Sequence, residues 1–368
     1  PAALKTIFES VKDTPALKVA IDIPSGLNGA TGEGNDAFEA DLTLTLHSYK
    51  MGLFLQDGKY KSGKVVTIPI GIPEHYNDAF FTPAVLIDKE NFKLPERYYY
   101  ANKNDYGRVF AIGGYMGYLG AISMTVKAAL RAGAGLVYLV SREENAYFYN
   151  ANPSEYLFVG IPKIGKTLIP NLKLFSDLFK KADSVIIGPG LGVDTYANYM
   201  LEFVLRTSTV PTVVDADALR LIAKDLSLQQ YLKKPNILLT PHWGEFCTLT
   251  GKDLDQLVKD IPAALENYIK KTGAKVLLKS NTTIFSDGKR MFINTSGNDG
   301  LATGGSGDVL AGIIGSKKKK KMELGEAAIN ASYIMGKTAE ELAQKRYFPS
   351  ILPSDIIDNL FMPLTEES

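Results

Sequence analysis

One cysteine, three histidines and one tryptophan in 368 residues set the first limits on this chain. Cys247 has no second cysteine with which to form an internal disulfide, which fits a reducing compartment. Three histidines and a cysteine spread far apart cannot supply a structural zinc site. Neither sign of charge is in surplus: 41 Lys and Arg face 40 Asp and Glu, leaving a net charge of +1. Such a balance gives no electrostatic footprint for nucleic acid or for a membrane surface. No apolar run approaches the length of a membrane span, and the first residues lack a signal-peptide layout, so a cytoplasmic location is expected. Internal repeats are absent. The single low-complexity patch, Lys317 to Lys321, reads as a solvated face and not as a docking site for an anionic partner. What remains is an ordinary globular composition, 45% hydrophobic and 22% charged, long enough for two cores.

Two blocks are expected. The first, residues 1–85, carries three short apolar runs: Val19–Ile23 ending in Pro-Ser-Gly, the alternating Ala40–Leu46, and Lys64–Ile70 ending in Gly-Ile-Pro. They read as strands with little helix between them. Residues 86–104 are polar, without periodicity, and read as a linker. From 105 to 368 the pattern becomes strand, turn, helix, repeated. Strands are expected at Arg108–Ile112, Leu136–Val140, Ser184–Ile187, Thr212–Asp215, Asn236–Leu239 and Lys275–Lys279. A helix is expected at Ala121–Ala132, and a hairpin turning on Asp287-Gly288. Continuous apolar strands alternating with helices imply an α/β fold, a mostly parallel sheet with helices on both faces. Ligands of such sheets bind beyond the carboxyl ends of the strands, and the turns after Ile112, Ile187, Val214, Leu239 and Lys279 all fall there.

The densest signal is Asn298-Asp-Gly-Leu-Ala-Thr-Gly-Gly-Ser-Gly-Asp-Val-Leu-Ala-Gly312. Glycines at 304, 305 and 307 let main-chain N–H groups curl around an anion, and the helix that opens behind them adds its positive end. An oxyanion or a phosphoryl group can sit in the cup so formed. Asp308 stands beside it, placed to take a proton from an attacking hydroxyl.

Other turns on the rim read two ways each. The loop Gly113–Ala121 departs from the dinucleotide fingerprint; it is either a tight turn or a close approach to substrate, with Tyr118 able to stack on a flat ring. Gly188-Pro-Gly-Leu-Gly192 is a structural turn or a phosphate- or sugar-binding loop. Asp215 and Asp217 can cap the following helix at Ala218 or face a magnesium–phosphate group through water. His242 can bond substrate, with Glu245 organising water and Mg²⁺, or Glu245 can serve the helix end alone. Lys279 to Thr283 is an exposed strand end or a cation with hydroxyl and amide donors for a nucleotide.

In order, Asp-Tyr-Gly-Arg-Val, Gly-Tyr-x-Gly-Ala, Ala-Gly-Ala-Gly-Leu-Val, Gly-Pro-Gly-Leu-Gly, Asp-Ala-Asp-Ala, Thr-Pro-His-x-Gly-Glu, Leu-Lys-Ser, Gly-Asn-x-Gly and Gly-Gly-Ser-Gly-Asp-Val-Leu resemble the ADP-dependent NAD(P)H-hydrate dehydratase family of the ribokinase-like superfamily. The resemblance runs from about Asn102 to the C-terminus. In the first block, Asp22-Ile-Pro-Ser-Gly26, Ala40-Asp-Leu-Thr and Gly71-Ile-Pro resemble the C-terminal part of NAD(P)H-hydrate epimerase, a truncated Rossmann-like segment. The resemblance implies a repair reaction in which a hydrated NADH or NADPH is phosphorylated by ADP and phosphate is then eliminated, leaving AMP. It further implies that Asp308 is the base, and that Gly305, Ser306 and Gly307 bind the moving phosphoryl group, with Gly307 also touching AMP. Ala121, Gly192 and His242, with Asp308, would hold the hydrate. Lys279, Ser280, Asn281, Thr282 and Thr283 would hold AMP. Mg²⁺ is expected near Glu245, K⁺ near Ser25, and a remnant epimerase substrate contact at Asp22. The epimerase loop Asn-Asn-Gly-Gly-Asp-Gly is missing, so no epimerase activity is expected of these residues. Small-molecule substrates and a homo-oligomer, by resemblance a tetramer, are the expected partners. Two readings compete: a ribokinase-like kinase that phosphorylates a vitamin-precursor alcohol, and a non-catalytic nucleotide-binding protein.

Overall fold

The computed structural model describes residues 2–73, 84–90, 92, 100, 102–151, 154–316 and 322–361. The five-lysine run and much of the expected linker lie outside them. Two sheets organise the described chain. The smaller has three parallel strands in the order β1 (Val19–Ile21), β2 (Leu42–Leu46) and β3 (Lys64–Ile68). Helix α1 (Ala2–Lys12) precedes it, an element that the sequence reading did not separate from its surroundings.

The larger sheet has ten strands: β4 (Ala84–Leu86), β5 (Arg108–Ile112), β6 (Leu136–Arg142), β7 (Leu157–Ile161), β8 (Ser184–Ile187), β9 (Thr212–Val214), β10 (Ile237–Leu239), β11 (Lys275–Leu278), β12 (Thr283–Ser286) and β13 (Met291–Asn294). Their order in space is β4-β13-β12-β11-β10-β9-β8-β5-β6-β7. All neighbours are parallel except the pairs that β12 makes with β11 and β13, the expected hairpin. β4 pairs in parallel with β13, so the expected boundary at residue 85 cuts through a strand of the larger sheet. Three residues are too short a run to reveal that membership in the sequence.

Alternate residues of the central strands enter opposite cores. Phe110 and Ile112 of β5 join Val185, Ile187, Val214, Leu239 and Leu278 on one face. Val109 and Ala111 join Val137, Ile186, Val213, Leu238 and Leu277 on the other. A strand buried on both sides has no room for polar alternation, hence the unbroken apolar runs. On the second face lie α2 (Leu119–Arg131), α5 (Ser306–Gly315) and α6 (Leu324–Lys345); on the first lie α3 (Asp217–Lys224) and α4 (Trp243–Thr250). The small unit leans on this body. Leu55, fully buried, belongs to the first-face core, with Met51 and Phe54 packed against it.

Candidate active site

Because β5, β8, β9, β10 and β11 are adjacent and parallel, the loops that follow them open on one rim. Asp215 follows β9, His242 and Glu245 follow β10, and Lys279 follows β11. Residues distant in sequence therefore stand side by side. Lys279 Nζ donates to Asp215 Oδ1 at 2.7 Å and lies 4.0 Å from Glu245 Oε2, and all three side chains are largely buried. Burial alone would lower the Lys279 pKa, but Asp215 and Glu245 outweigh it and hold the ammonium charged. Burial pushes the Glu245 carboxyl up, Lys279 opposes that shift, and Asp215 adds to it.

α5 points its N-terminus at this cluster. Its N-cap, Gly305, has φ 104°, a left-handed turn that admits glycine freely. The first-turn N–H groups of Gly307 and Asp308 find no main-chain acceptor among the described residues, as helix starts require. A Cβ at Gly307 would fall 3.2 Å from Lys279 Nζ. Glycine here leaves open the space between the ammonium and the helix end. Main-chain donors, a helix dipole and a lysine thus converge on one point, a place for a phosphoryl group.

Asp308 sits in the same helical turn and is half-buried. Burial first, then the charge of Asp215, raises its pKa from 3.8 to about 7, with Lys279 pulling the other way. A carboxylate so destabilised is a much stronger base than an exposed aspartate, and it titrates where a general base is useful.

A cavity of about 670 Å³ adjoins the helix end, lined among others by Lys279, Ser280, Asn281, Thr283, Ser306 and Gly307. Of the segment expected to hold AMP, Lys279, Ser280, Asn281 and Thr283 face it. Thr282 does not line the cavity: it is buried, and its Oγ1 donates to the Phe54 carbonyl at 2.7 Å. Among lining residues missed in the sequence are Lys59 and Tyr60 of the small unit. No motif marks them.

His242 also lines the cavity and is half exposed. Its Nδ1 accepts from the Glu245 N–H at 3.3 Å, while the Glu245 carboxylate accepts from the His242 N–H at 2.9 Å. This reciprocal pair is a capping box for α4. Glu245 thus serves the helix end and stands beside the Lys279–Asp215 pair as well. Asp215 and Asp217 do not cap α3 through their side chains; Ala216 occupies the cap position at φ 49°. Asp217 instead accepts from the Gly192 N–H at 3.0 Å, and Asp215 is taken by Lys279.

Ala121, at the start of α2, and Gly192 lie outside the cavity. The loops that carry them pack together, the Tyr115 N–H donating to the Gly190 carbonyl. Tyr118 is 62% exposed, free to meet a flat ring. In the small unit, Asp22 is tied to Lys50, which with the Leu46 N–H holds its carboxyl below the usual range. Ser25 is exposed, and its carbonyl accepts from the Phe38 N–H.

Residues 109–361 match the family model described as NAD(P)H-hydrate dehydratase. The chain belongs to that family. Residues 1–52 match the YjeF-related protein N-terminus family. The bifunctional NAD(P)H-hydrate repair enzyme of Moorella thermoacetica is 33% identical over 356 residues, which cover 94% of this chain and 66% of that one. The chain thus spans about two thirds of this relative's length. A ribokinase-like superfamily protein from Enterococcus faecalis has a similar structure, with TM-score 0.67 and 29% identity, covering 78% of this chain and 98% of that one. A Bacillus subtilis ADP/ATP-dependent NAD(P)H-hydrate dehydratase, co-crystallised with ATP and Mg²⁺, has TM-score 0.60 and 23% identity, covering 75% of this chain and 95% of that one. At that identity the likeness is one of fold. The ribokinase-like α/β architecture expected from the sequence is the one observed, and the dehydratase family named by its motifs is the one matched.

Proposed function

We propose that this dehydratase repairs hydrated NADH or NADPH with ADP as phosphoryl donor. The observation that carries the reading is the juxtaposition of the open first turn of α5, Lys279 across from Gly307, and Asp308 with a pKa of about 7. ADP occupies the cavity with its terminal phosphoryl at Gly305, Ser306 and Gly307 and its AMP part along Lys279 to Thr283. The hydrate lies on the far side of Asp308, towards Ala121, Gly192 and Tyr118, with His242 at the border.

Asp308 takes the proton of the ring hydroxyl as its oxygen attacks phosphorus. The bond to the bridging oxygen of ADP breaks, and AMP leaves with that electron pair. The phosphate ester is a better leaving group than hydroxide. Its C–O bond then breaks with the electron pair going to phosphate, the adjacent ring carbon gives its proton to the departing phosphate, and the ring double bond returns. Main-chain donors and Lys279 stabilise charge that grows on the transferring group.

Mg²⁺ has no direct cage here: among the described residues no group of three or more His, Cys, Asp or Glu could hold a metal. Asp215 and Glu245 are committed to Lys279 and to the α4 cap. In this reading Mg²⁺ travels with the nucleotide's phosphates and meets these acids only through water, and no step is assigned to it. The small unit retains Asp22 and Ser25, but Asp22 is already neutralised by Lys50; we assign it neither K⁺ nor epimerase turnover. Racemisation of the hydrate epimers by this chain would contradict that assignment. The same proposal divides the chain into two units, with β4 counted in the second, and takes the protein as a cytoplasmic homo-oligomer, by family a tetramer. Among the described residues no helix is long and apolar enough to cross a membrane.

The test is an assay of hydrate with ADP and with ATP side by side, following reduced-nicotinamide absorbance, AMP and phosphate. Equal yields of the three products from ADP support the proposal. A stable phosphate ester with no recovered absorbance would favour the kinase.

A further inference from the structure

We propose that Lys59 and Tyr60 of the small unit complete the nucleotide site of the large one, Lys59 supplying a cation for the non-transferred phosphate of ADP. This rests on the reading above that the cavity takes ADP.

The two residues stand on a single turn of helix, Gly58–Lys61, and both line the cavity. Their position is fixed from several directions. Leu55 is buried in the large unit's core. The Gln56 side-chain amide donates to the Val258 carbonyl, and Thr282 donates to the Phe54 carbonyl. Gly58 lets the turn close: a Cβ there would fall 1.7 Å from the Gly52 carbonyl oxygen. On the cavity side, Lys59 Nζ donates to the Asn281 carbonyl, and the Asn281 side-chain amide donates to the Tyr60 hydroxyl at 3.3 Å. The loop expected to hold AMP is therefore gripped by the small unit.

The chemistry of Lys59 selects the ligand. Its ammonium has three donors, and the Asn281 carbonyl takes one. Ser280, Asn281 and Thr283 of the lining are neutral, and Asp299, which also lines the cavity, makes no hydrogen bond or ion pair to Lys59. Asp299 and Glu340 act on it only through their fields, while burial lowers its pKa. A part-buried cation with spare donors, lining the same cavity as Lys279 and Gly307 where the reading above puts the transferring phosphoryl group, is matched by a second phosphate of the same ligand. Tyr60 then walls the nucleoside.

The experiment is calorimetric titration of the full chain with ADP, AMP and adenosine, for wild type, Lys59→Met and Lys59→Arg, with steady-state kinetics alongside. Lys59→Met should weaken ADP and AMP about tenfold, the size of one charge-assisted hydrogen bond, and leave adenosine within about twofold. KM for ADP should rise while KM for the hydrate and kcat at saturating ADP hold. Lys59→Arg keeps the charge and should retain AMP affinity within about threefold of wild type. Unchanged AMP binding in Lys59→Met overturns the inference. So does an equal loss for adenosine, which would make Lys59 a prop for the loop, or a loss in Lys59→Arg as large as in Lys59→Met. If wild type itself fails to bind ADP, the functional reading has failed, and that outcome is separate from these.

Discussion

Asp308 carries two demands that pull against each other. The proposed base role needs its carboxylate ionised, yet burial and the nearby charge of Asp215 raise its pKa to about 7. Provided proton transfer limits the rate, kcat/KM should rise with pH to a plateau, with an inflection near 7, when measured from pH 5.5 to 8.5. The same shift has a consequence for stability. The folded-state pKa lies above the unfolded one, so the folded state binds more protons between them, and stability falls as pH rises through that window. Asp308→Asn removes the charge without removing volume. Its melting temperature should exceed that of wild type at pH 8, and the difference should shrink as the pH is lowered to 4. A wild-type advantage at pH 8 would mean that the carboxylate is not destabilised. This residue was legible in the sequence because glycines crowd just before it and a helix opens behind it. Its pKa was not legible: it depends first on burial, then on Asp215 and Lys279, which approach only after β9 and β11 are placed on either side of β10.

At the scale of elements, the anion cup belongs to the start of α5. Alanine is a better helix former than glycine, so Gly307→Ala should leave the melting temperature unchanged or raise it slightly. Its new methyl group would nevertheless stand 3.2 Å from Lys279 Nζ, in the space assigned to the phosphoryl group. Steady-state kinetics should show kcat/KM reduced by at least about tenfold, within the range for disturbing a transition-state anion site. Undiminished activity would move that site elsewhere. The strands around the cup could be read in advance because each is buried on both faces and so uninterrupted by polar residues. The pairing of β4 with β13 could not, since three half-buried residues carry no pattern. Nor could the sequence choose among the readings of Asp217: its acceptance of the Gly192 N–H joins two loops 25 residues apart.

For the whole molecule, the two units are bound through one another's structure. Leu55 lies in the large unit's core with none of its surface exposed. Truncation to alanine should cost about 2–5 kcal/mol in denaturant unfolding, as at other fully buried leucines. If Leu55→Ala is instead neutral, the small unit is an appendage and its grip on the Asn281 loop is weak. In the sequence this segment read only as part of a thin leading block. A side chain that completes another unit's core has no partner within its own stretch, and hydrophobic periodicity is blind to it. Family motifs were legible over the large unit because phosphate chemistry restricts glycines and acids at fixed turns.

The most direct test of the central claim compares wild type with Asp308→Ala, following the absorbance of reduced nicotinamide after hydrate and ADP are mixed, with AMP affinity measured in parallel. Wild type should recover absorbance with matching release of AMP and phosphate. The variant should lose turnover by about 10²–10⁴-fold, the span expected for a general base, while binding AMP within about threefold of wild type. Turnover retained in Asp308→Ala would contradict the account.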